Sequence, residues 1–268
     1  MSQPSDPVPG SPSARTVPPK RSGIAHAVAF VRTVIYSILA TVFFVVVTIL
    51  SSPILLFPSD KTRYMLRFWA GADLVILRWT VGQRVRILHP ENIPTGPALV
   101  GAKHQAEWET MALVPMLPKG VIILKKELLK IPLYGWYAKH YGMIPVDRDA
   151  GASALKQLAV DGQKAMATGK QIVIFPEGTR RPLGAPPDYK PGAIFLYDKL
   201  NVPLVPVALN SGVFWPRGAY VKYPGTITVS FLPPIPPGLP KAEVKARLLE
   251  AVETETARLV AEAQAASA

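Results

Sequence analysis

The sequence predicts an α/β fold, a mixed sheet flanked by helices, with an N-terminal two-helix membrane anchor. Seven short apolar runs follow residue 84, and amphipathic stretches of helical length separate most of them. Before them, an uncharged apolar run extends over residues 33–57. The chain has 268 residues, which is long enough for one catalytic domain with a sizeable core in addition to the anchor.

The apolar runs predict strands at Val85–Leu88, Ala98–Ala102, Val121–Leu124, Met143–Val146, Ile172–Phe175, Leu204–Leu209 and Thr226–Phe231. The amphipathic stretches predict helices at Thr110–Leu117, Leu128–Tyr141, Gly151–Thr168, Ala193–Leu200 and Lys241–Ala265. Because helices alternate with strands, we expect a largely parallel or mixed sheet. The chain therefore divides into a disordered Pro- and Ser-rich tail at 1–23, the two-helix anchor at 24–83, and a catalytic domain at 84–268.

The uncharged run 33–57 predicts a membrane helix, because about 20 apolar residues cross a hydrocarbon core of about 30 Å. Arginine and lysine lie on both sides of this run, so positive charge does not choose an orientation. Balanced flanks are typical of a helix that dips into one leaflet, and Pro53 is placed to kink it. The next stretch, 61–81, mixes aromatic rings with arginines at helical spacing, which favours a helix at the head-group level. A helix packed on the soluble core is the alternative.

Composition limits the class of partner. The formal net charge of +12 and the isoelectric point of about 9.9 indicate an anionic partner. The apolar fraction of 49% and the positive mean hydropathy favour a membrane surface over nucleic acid. The arginines are also not interleaved with aromatics in any nucleic-acid module. The chain has no cysteine, which excludes disulfides, thiolate metal sites and a cysteine nucleophile.

His104 and Glu109 form a candidate catalytic pair. Five positions apart, they would face different ways on a helix or a strand. They can meet if His104 lies in a turn after the strand Ala98–Ala102 and Glu109 begins the next helix. The carboxylate would then fix the imidazole tautomer and leave the other ring nitrogen free as a general base.

The rest of the sequence restricts what this base can do. No Gly-x-Ser-x-Gly motif is present, so the nucleophile would be a substrate hydroxyl that attacks an activated acyl group. An ordinary loop histidine beside a helix N-terminal charge is the alternative. A metal site at His104, Glu107 and Glu109 lacks the usual ligand spacing, and we expect no metal.

The segment Phe175–Arg180 predicts an anion-binding turn. It follows an apolar strand that Pro176 ends, and Gly178 permits a tight turn with exposed backbone N–H groups. Arg180 then projects at the carboxyl end of a strand, where α/β sheets place their ligands. Its planar guanidinium suits a phosphate, and Glu177 would hold Arg180 or a substrate hydroxyl in place. A structural ion pair in a loop is the alternative.

Two further cations follow strands. Lys125 comes after Val121–Leu124, and Arg148 comes after Met143–Val146. If these strand ends lie at one edge of the sheet with Arg180, the three cations would form a pocket for a dianionic phosphate. Any one of them alone would be a solvated charge.

In these blocks the chain resembles the PlsC-like lysophospholipid acyltransferases, typified by 1-acyl-sn-glycerol-3-phosphate acyltransferase. The matching stretches span about residues 80–230 and are His104–Glu109, Gly142–Arg148, Phe175–Arg180 and Val205–Ala208. The family has an aspartate where this chain has Glu109. Glutamate keeps the charge and adds one methylene, so the start of the helix must sit differently to make the same contact.

The resemblance implies that His104 deprotonates the free hydroxyl of a lysophospholipid and that Glu109 orients it. It implies an acyl-CoA or acyl carrier protein thioester as co-substrate, with no bound cofactor. The substrate-binding residues would be Lys125, Arg148, Glu177, Gly178, Thr179 and Arg180.

The expected reaction acylates the sn-2 hydroxyl of lysophosphatidic acid and gives phosphatidic acid. We expect it in phospholipid biosynthesis, at the membrane, on the cytoplasmic face of the inner (plasma) membrane. Acylation of another lysolipid, such as a lyso-ornithine lipid or lysophosphatidylcholine, is one alternative. A non-catalytic membrane protein that binds anionic lipid is the other.

Overall fold

In the computed structural model of the chain, the described residues are 23–266, without the side chains of residues 59–62 and 148. The predicted disordered tail therefore falls outside the described residues, apart from its last position. The helices are α1 (Gly23–Leu50), α2 (Ser59–Thr80), α3 (Trp108–Met116), α4 (Tyr134–Tyr141), α5 (Gly151–Ala167), α6 (Pro191–Leu200), α7 (Ser211–Phe214) and α8 (Lys241–Ala265).

The strands are β1 (Gln83–Leu88), β2 (Ala98–Ala102), β3 (Gly120–Lys125), β4 (Ile144–Val146), β5 (Gln171–Ile174), β6 (Leu204–Leu209) and β7 (Gly225–Phe231). They form one sheet in the order β1-β7-β6-β2-β5-β3-β4. Only β6 and β7 are antiparallel neighbours in the described chain, and the remaining pairs are parallel. The predicted mixed α/β sheet is confirmed.

The central strands are apolar on both faces because helices cover both. Consecutive residues of β2 show the alternation: Leu99 packs into the cluster beneath α5, α6 and α8, whereas Val100 packs towards α2 and α3. Every residue of β2, β5 and β6 is buried. Such continuous apolar runs are typical of strands covered on two sides, and this is why their prediction succeeded.

The predicted continuous helix at Leu128–Tyr141 is wrong. A short 3-10 turn covers Lys126–Lys130, and α4 begins only at Tyr134. Pro132 lacks a backbone N–H and disfavours helical geometry at the residue before it, so the helix cannot continue through this point. Leu133 then adopts a positive φ of 64°, and the chain restarts as α4.

The apolar N-terminal segment differs from its predicted position. α1 begins ten residues before the predicted run and ends at Leu50, so Pro53 lies in a 3-10 turn after the helix rather than kinking it. Within the described chain α1 alone is long and apolar enough to cross a membrane. The second predicted helix, 61–81, is confirmed as α2, which carries arginines among its apolar residues. The two-helix anchor stays a prediction.

α1 contacts the rest of the protein along its length. Near its start, the Nδ1 atom of His26 lies 2.9 Å from the hydroxyl of Tyr223. Near its end, the Tyr137 hydroxyl donates to the carbonyl oxygen of Thr48 at 2.9 Å. The opposite face of α1 exposes large apolar side chains, among them Val31, Ile35, Ile38, Val42 and Ile49. α1 is therefore a helix with one face on the α/β domain and an uncovered apolar face.

The break before α4 generates a stability prediction. A Cβ atom at Gly135 would lie 2.1 Å from the carbonyl oxygen of Leu129, which is backbone and cannot swing away. We expect Gly135→Ala to lower the free energy of unfolding by about 1–3 kcal/mol. Gly71→Ala is the matched control, because no heavy atom lies within 4 Å of its added Cβ in α2. There, alanine should stabilise the helix by about 0.5–1 kcal/mol.

Denaturant unfolding of the detergent-solubilised variants, followed by tryptophan fluorescence, measures both changes. Equal effects of the two substitutions would contradict this account of the helix break.

Candidate active site

The parallel strands bring the sequence blocks to one edge of the sheet. β6, β2, β5, β3 and β4 are adjacent and parallel, so their carboxyl ends coincide. His104 follows β2, and Phe175–Arg180 follows β5. The rings of His104 and Phe175 stack with their centroids 3.9 Å apart and their planes at 12°. Since β2 and β5 pair directly, the two principal blocks are neighbours.

The predicted contact between His104 and Glu109 is confirmed. The Nδ1 atom of His104 lies 3.1 Å from Oε1 of Glu109, which is the second residue of α3. Glu109 is fully buried, and its Oε1 also accepts from the backbone N–H groups of Gln105 (2.5 Å) and Ala106 (2.7 Å). Its Oε2 accepts from the hydroxyl of Ser211 at 2.9 Å.

These bonds define the tautomer of the histidine. A buried carboxylate surrounded by donors acts as an acceptor, so Nδ1 of His104 carries the proton. Nε2 is then the basic nitrogen, and within the described chain it has no hydrogen-bond partner. His104 lines a cavity, so Nε2 is available to a ligand. An imidazole held by a buried carboxylate, with one ring nitrogen free at a cavity, has the geometry that a general base requires.

The short helix α7 holds the loop after His104, and the sequence analysis missed it. Besides the bond from Ser211 to Glu109, the backbone N–H of Gly212 donates to the side-chain oxygen of Gln105 at 3.0 Å. A Cβ atom at Gly212 would approach Cβ of Gln105 to 3.1 Å, so the glycine allows this close contact. The available signal was the position of Ser211 just after β6, whose carboxyl end lies at the same edge.

A second buried network lies on the other side of His104, and Lys103 is its centre. The Lys103 ammonium donates to Oε1 of Glu177 at 2.7 Å and to Oε1 of Glu253 at 2.8 Å. The backbone N–H of His104 donates to Oε2 of Glu177 at 3.0 Å. Tyr189 donates to Glu253, which belongs to α8. The sequence analysis missed Lys103 and Glu253.

Glu177 does not pair with Arg180, which pairs with Glu107, and its predicted role in substrate binding stays a prediction. Only 1% of the residue is exposed. Its Oε1 accepts a bond from Lys103, and its Oε2 accepts a bond from the backbone N–H of His104. Burial raises the pKa of Glu177, and the ammonium of Lys103 opposes that rise. The hydrogen bonds hold this carboxylate against the backbone of His104, and Glu177 also lines the cavity beside that histidine.

The predicted pocket of three cations does not form as expected. Lys125 is half exposed and lies 3.7 Å from Glu127. Arg180 pairs with Glu107 and lines a different cavity from the one beside His104. The side chain of Arg148 lies outside the described residues, and its backbone begins a 3-10 turn. Lys125 lines neither of these two cavities.

The cavity beside His104 has a volume of about 480 Å³ and is largely apolar. Gly178 and Thr179 line it, and Gly178 has the positive φ of 65° that the tight turn after β5 requires; their predicted role in substrate binding stays a prediction. Its other walls include Ile123, Val146, Leu155, Leu158 and Ile174. No group of three or more His, Asp or Glu suited to a metal ion occurs among the described residues.

Comparison with known proteins adds independent findings. The family model described as Acyltransferase matches residues 84–210. A 1-acyl-sn-glycerol-3-phosphate acyltransferase of Pseudomonas aeruginosa is 36% identical over 178 residues, which is 66% of this chain and 69% of that protein. The human 1-acyl-sn-glycerol-3-phosphate acyltransferase beta is 30% identical over 185 residues, covering 65% of this chain and 66% of that protein.

A solved structure shares the fold. The crystal structure of the 1-acyl-sn-glycerophosphate (LPA) acyltransferase PlsC from Thermotoga maritima aligns with a TM-score of 0.71 at 23% identity. The alignment covers 86% of this chain and 95% of that one.

The Lys103 network generates a prediction. Lys103→Met leaves the buried carboxylate of Glu177 without its cation, which should lower the free energy of unfolding by about 3–5 kcal/mol. The double variant with Glu177→Gln should lose less than the sum of the two single variants, because the pair is removed together. Lys190→Met is the control, since its partner Asp188 and Lys190 itself are exposed, and it should cost less than about 1 kcal/mol.

Denaturant unfolding of the four variants measures these changes. Strictly additive losses at Lys103 and Glu177 would show that the two side chains are not coupled.

Proposed function

The chain belongs to the family of 1-acyl-sn-glycerol-3-phosphate acyltransferases, and we propose that it acylates the sn-2 hydroxyl of lysophosphatidic acid to give phosphatidic acid. The acyl donor in this proposal is a thioester of CoA or of acyl carrier protein. The observation that carries it is the His104–Glu109 pair, which supplies a base beside an apolar cavity. The earlier resemblance to this family is confirmed by the relative at 36% identity.

In the proposed reaction, Nε2 of His104 takes the proton of the acceptor hydroxyl as its oxygen attacks the thioester carbonyl. Glu109 accepts the Nδ1–H bond and stabilises the imidazolium that forms. The tetrahedral intermediate then collapses, the carbon–sulfur bond breaks, and the imidazolium returns its proton to the leaving thiolate. No residue of the protein is acylated in this reaction. This agrees with a site that pairs histidine with an acid, and with a chain that has no cysteine.

The apolar cavity of about 480 Å³ suits the acyl part of the donor. The walls that bury hydrocarbon include Leu155 and Leu158 of α5 and Ile123 of β3. His104 also lines the cavity. Burying each methylene of a fatty chain contributes about 0.8 kcal/mol, so such walls bind the acyl group through the burial of hydrocarbon. The excess of positive charge on the chain attracts either acidic donor.

The catalytic assignment leads to a prediction. His104→Ala should lower kcat by about 10²- to 10⁴-fold, the usual contribution of a general base. Glu109→Gln should lower kcat as well, because an amide can hold the wrong tautomer and cannot stabilise the imidazolium. His89→Ala is the matched control: His89 contacts Glu91 at 3.2 Å, but both residues are exposed.

Acyl transfer to a panel of lysolipids with purified protein and both donors measures these effects. His104→Ala protein with full turnover would rule out the base, and wild-type protein that prefers lyso-ornithine lipid would rule out the acceptor.

We also propose that the protein is monotopic and faces the cytoplasm. α1 makes polar contacts with the α/β domain near both of its ends, through His26 and Thr48. A helix crossing to the far side of a bilayer would have to break one of these sets of contacts. Its uncovered apolar face can instead sit in one leaflet while the helix stays against the domain.

The absence of cysteine allows a direct test of this arrangement. Cysteines placed at Gly23, at the start of α1, and at Ala265, at the end of α8, are both exposed. We expect a membrane-impermeant maleimide to label neither in intact cells and both in inside-out vesicles. Labelling of Gly23→Cys alone in intact cells would mean that α1 spans the membrane.

A further inference from the structure

A cationic cavity lies on the other side of the loop that carries His104. It has a volume of about 310 Å³ and is bounded by Ala106 and Glu107, by Arg180, and by the segment 215–222 between α7 and β7. Three cations line it, Arg180, Arg217 and Lys222, against the single carboxylate of Glu107, so two positive charges are left uncompensated. Such a balance suits a doubly charged anion.

Lys222 is the unusual member of this set. Only 7% of the residue is exposed, and its ammonium lies 4.2 Å from the ring of Trp215, 5.3 Å from that of Tyr36 and 5.6 Å from that of Tyr220. Its hydrogen bond, to the carbonyl oxygen of Tyr220, is long at 3.4 Å. It forms no ion pair with any described residue. Burial lowers the pKa of Lys222, although Glu107 and Asp73 oppose this at longer range.

A buried ammonium is costly unless it is paired and hydrogen-bonded. The three ring faces around Lys222 offset part of that cost through cation–π attraction, but they accept no strong hydrogen bond. Its three donors therefore remain largely unused. The protein holds a preformed, desolvated cation at a cavity wall, and an anion entering the cavity would meet it without further loss of water.

The position of the cavity indicates which anion enters. Glu107 and His104 belong to the same short loop, so a group bound here lies next to the catalytic base. The loop that carries Lys222 also packs on α1: the backbone N–H of Lys222 donates to the hydroxyl of Thr33 at 2.9 Å. The segment that bounds the cavity therefore packs directly against α1.

We propose that Lys222 and Arg217, together with Arg180, bind the phosphate of the lysolipid acceptor and select for a phosphomonoester head group. The proposal rests on the proposed function and extends it to two residues outside the recognised sequence blocks. A phosphomonoester carries nearly two negative charges and three acceptor oxygens, matching the charge of the cavity. A choline-bearing head group would place its own cation against Lys222. In the bound state the phosphate competes with Glu107 for Arg180.

The test uses Lys222→Met, which keeps the length and apolar stem of the side chain and removes its charge. We expect the KM for lysophosphatidic acid to rise by about 10- to 100-fold, the loss expected for a charge-assisted hydrogen bond, with kcat changed far less. Lys222→Arg should recover part of the affinity. Lys199→Met is the matched control, because its ammonium also lies over an aromatic ring, that of Phe195, but is exposed.

A binding measurement separates this proposal from the proposed function. Titration calorimetry with glycerol 3-phosphate on His104→Ala protein reports phosphate binding without turnover. We expect binding that Lys222→Met and Arg217→Gln both weaken, whichever lysolipid the enzyme acylates. Unchanged glycerol 3-phosphate binding in both variants would overturn the proposal. If the two variants lose CoA binding but retain glycerol 3-phosphate binding, the proposal is also overturned, because the cavity would then bind the acyl donor.

Discussion

The hydrogen bonding of one buried carboxylate, that of Glu109, determines how the site is built. With no exposure to water, it would be very costly unless donors surround it, and four do: the imidazole, two backbone N–H groups of the preceding loop and the hydroxyl of Ser211. These donors come from the loop after β2 and from α7, so both segments must converge on α3 for the carboxylate to be satisfied. The loop after β2 folds back so that two of its N–H groups reach Oε1. The hydrogen bonds that orient His104 therefore also stabilise this edge of the sheet.

Lys103 connects the segment around His104 to helix α8. Its ammonium joins Glu177 after β5 to Glu253 on α8, and Glu177 in turn fixes the backbone of His104. The histidine thus has a buried acid on each side, one bound to its ring and one to its backbone. The two acids belong to separate networks, so the proton transfer proposed at the ring does not involve the ion pair that holds the loop.

Which features of the fold and of the site could be predicted depends on how far apart in the sequence the interacting residues lie. The strands and the contact between His104 and Glu109 were accessible, because apolar runs and short spacings are local signals. The break before α4 depends on a proline and on a glycine packed against Leu129, and a periodicity analysis passes over both. In the sequence, Lys103 cannot be told apart from a solvated charge, because its partner Glu253 lies 150 positions later and only the fold brings the two together. The strands that precede Lys125, Arg148 and Arg180 end at one edge of the sheet, but Arg180 pairs with Glu107 and Lys125 lies beside Glu127.

The two sides of the catalytic loop differ in a way that matches the proposed reaction. On one side His104 faces an apolar cavity between α5 and the sheet; on the other, Glu107 borders a cavity of net positive charge beside α1. Joining a fatty acyl group to a phosphate-bearing alcohol requires the same division, because the hydrocarbon gains free energy from an apolar wall and the phosphate from fixed cations. A single mixed pocket would desolvate the phosphate against hydrocarbon. Placing the base on the loop between the two environments lets each partner keep its favoured surroundings until the bond forms.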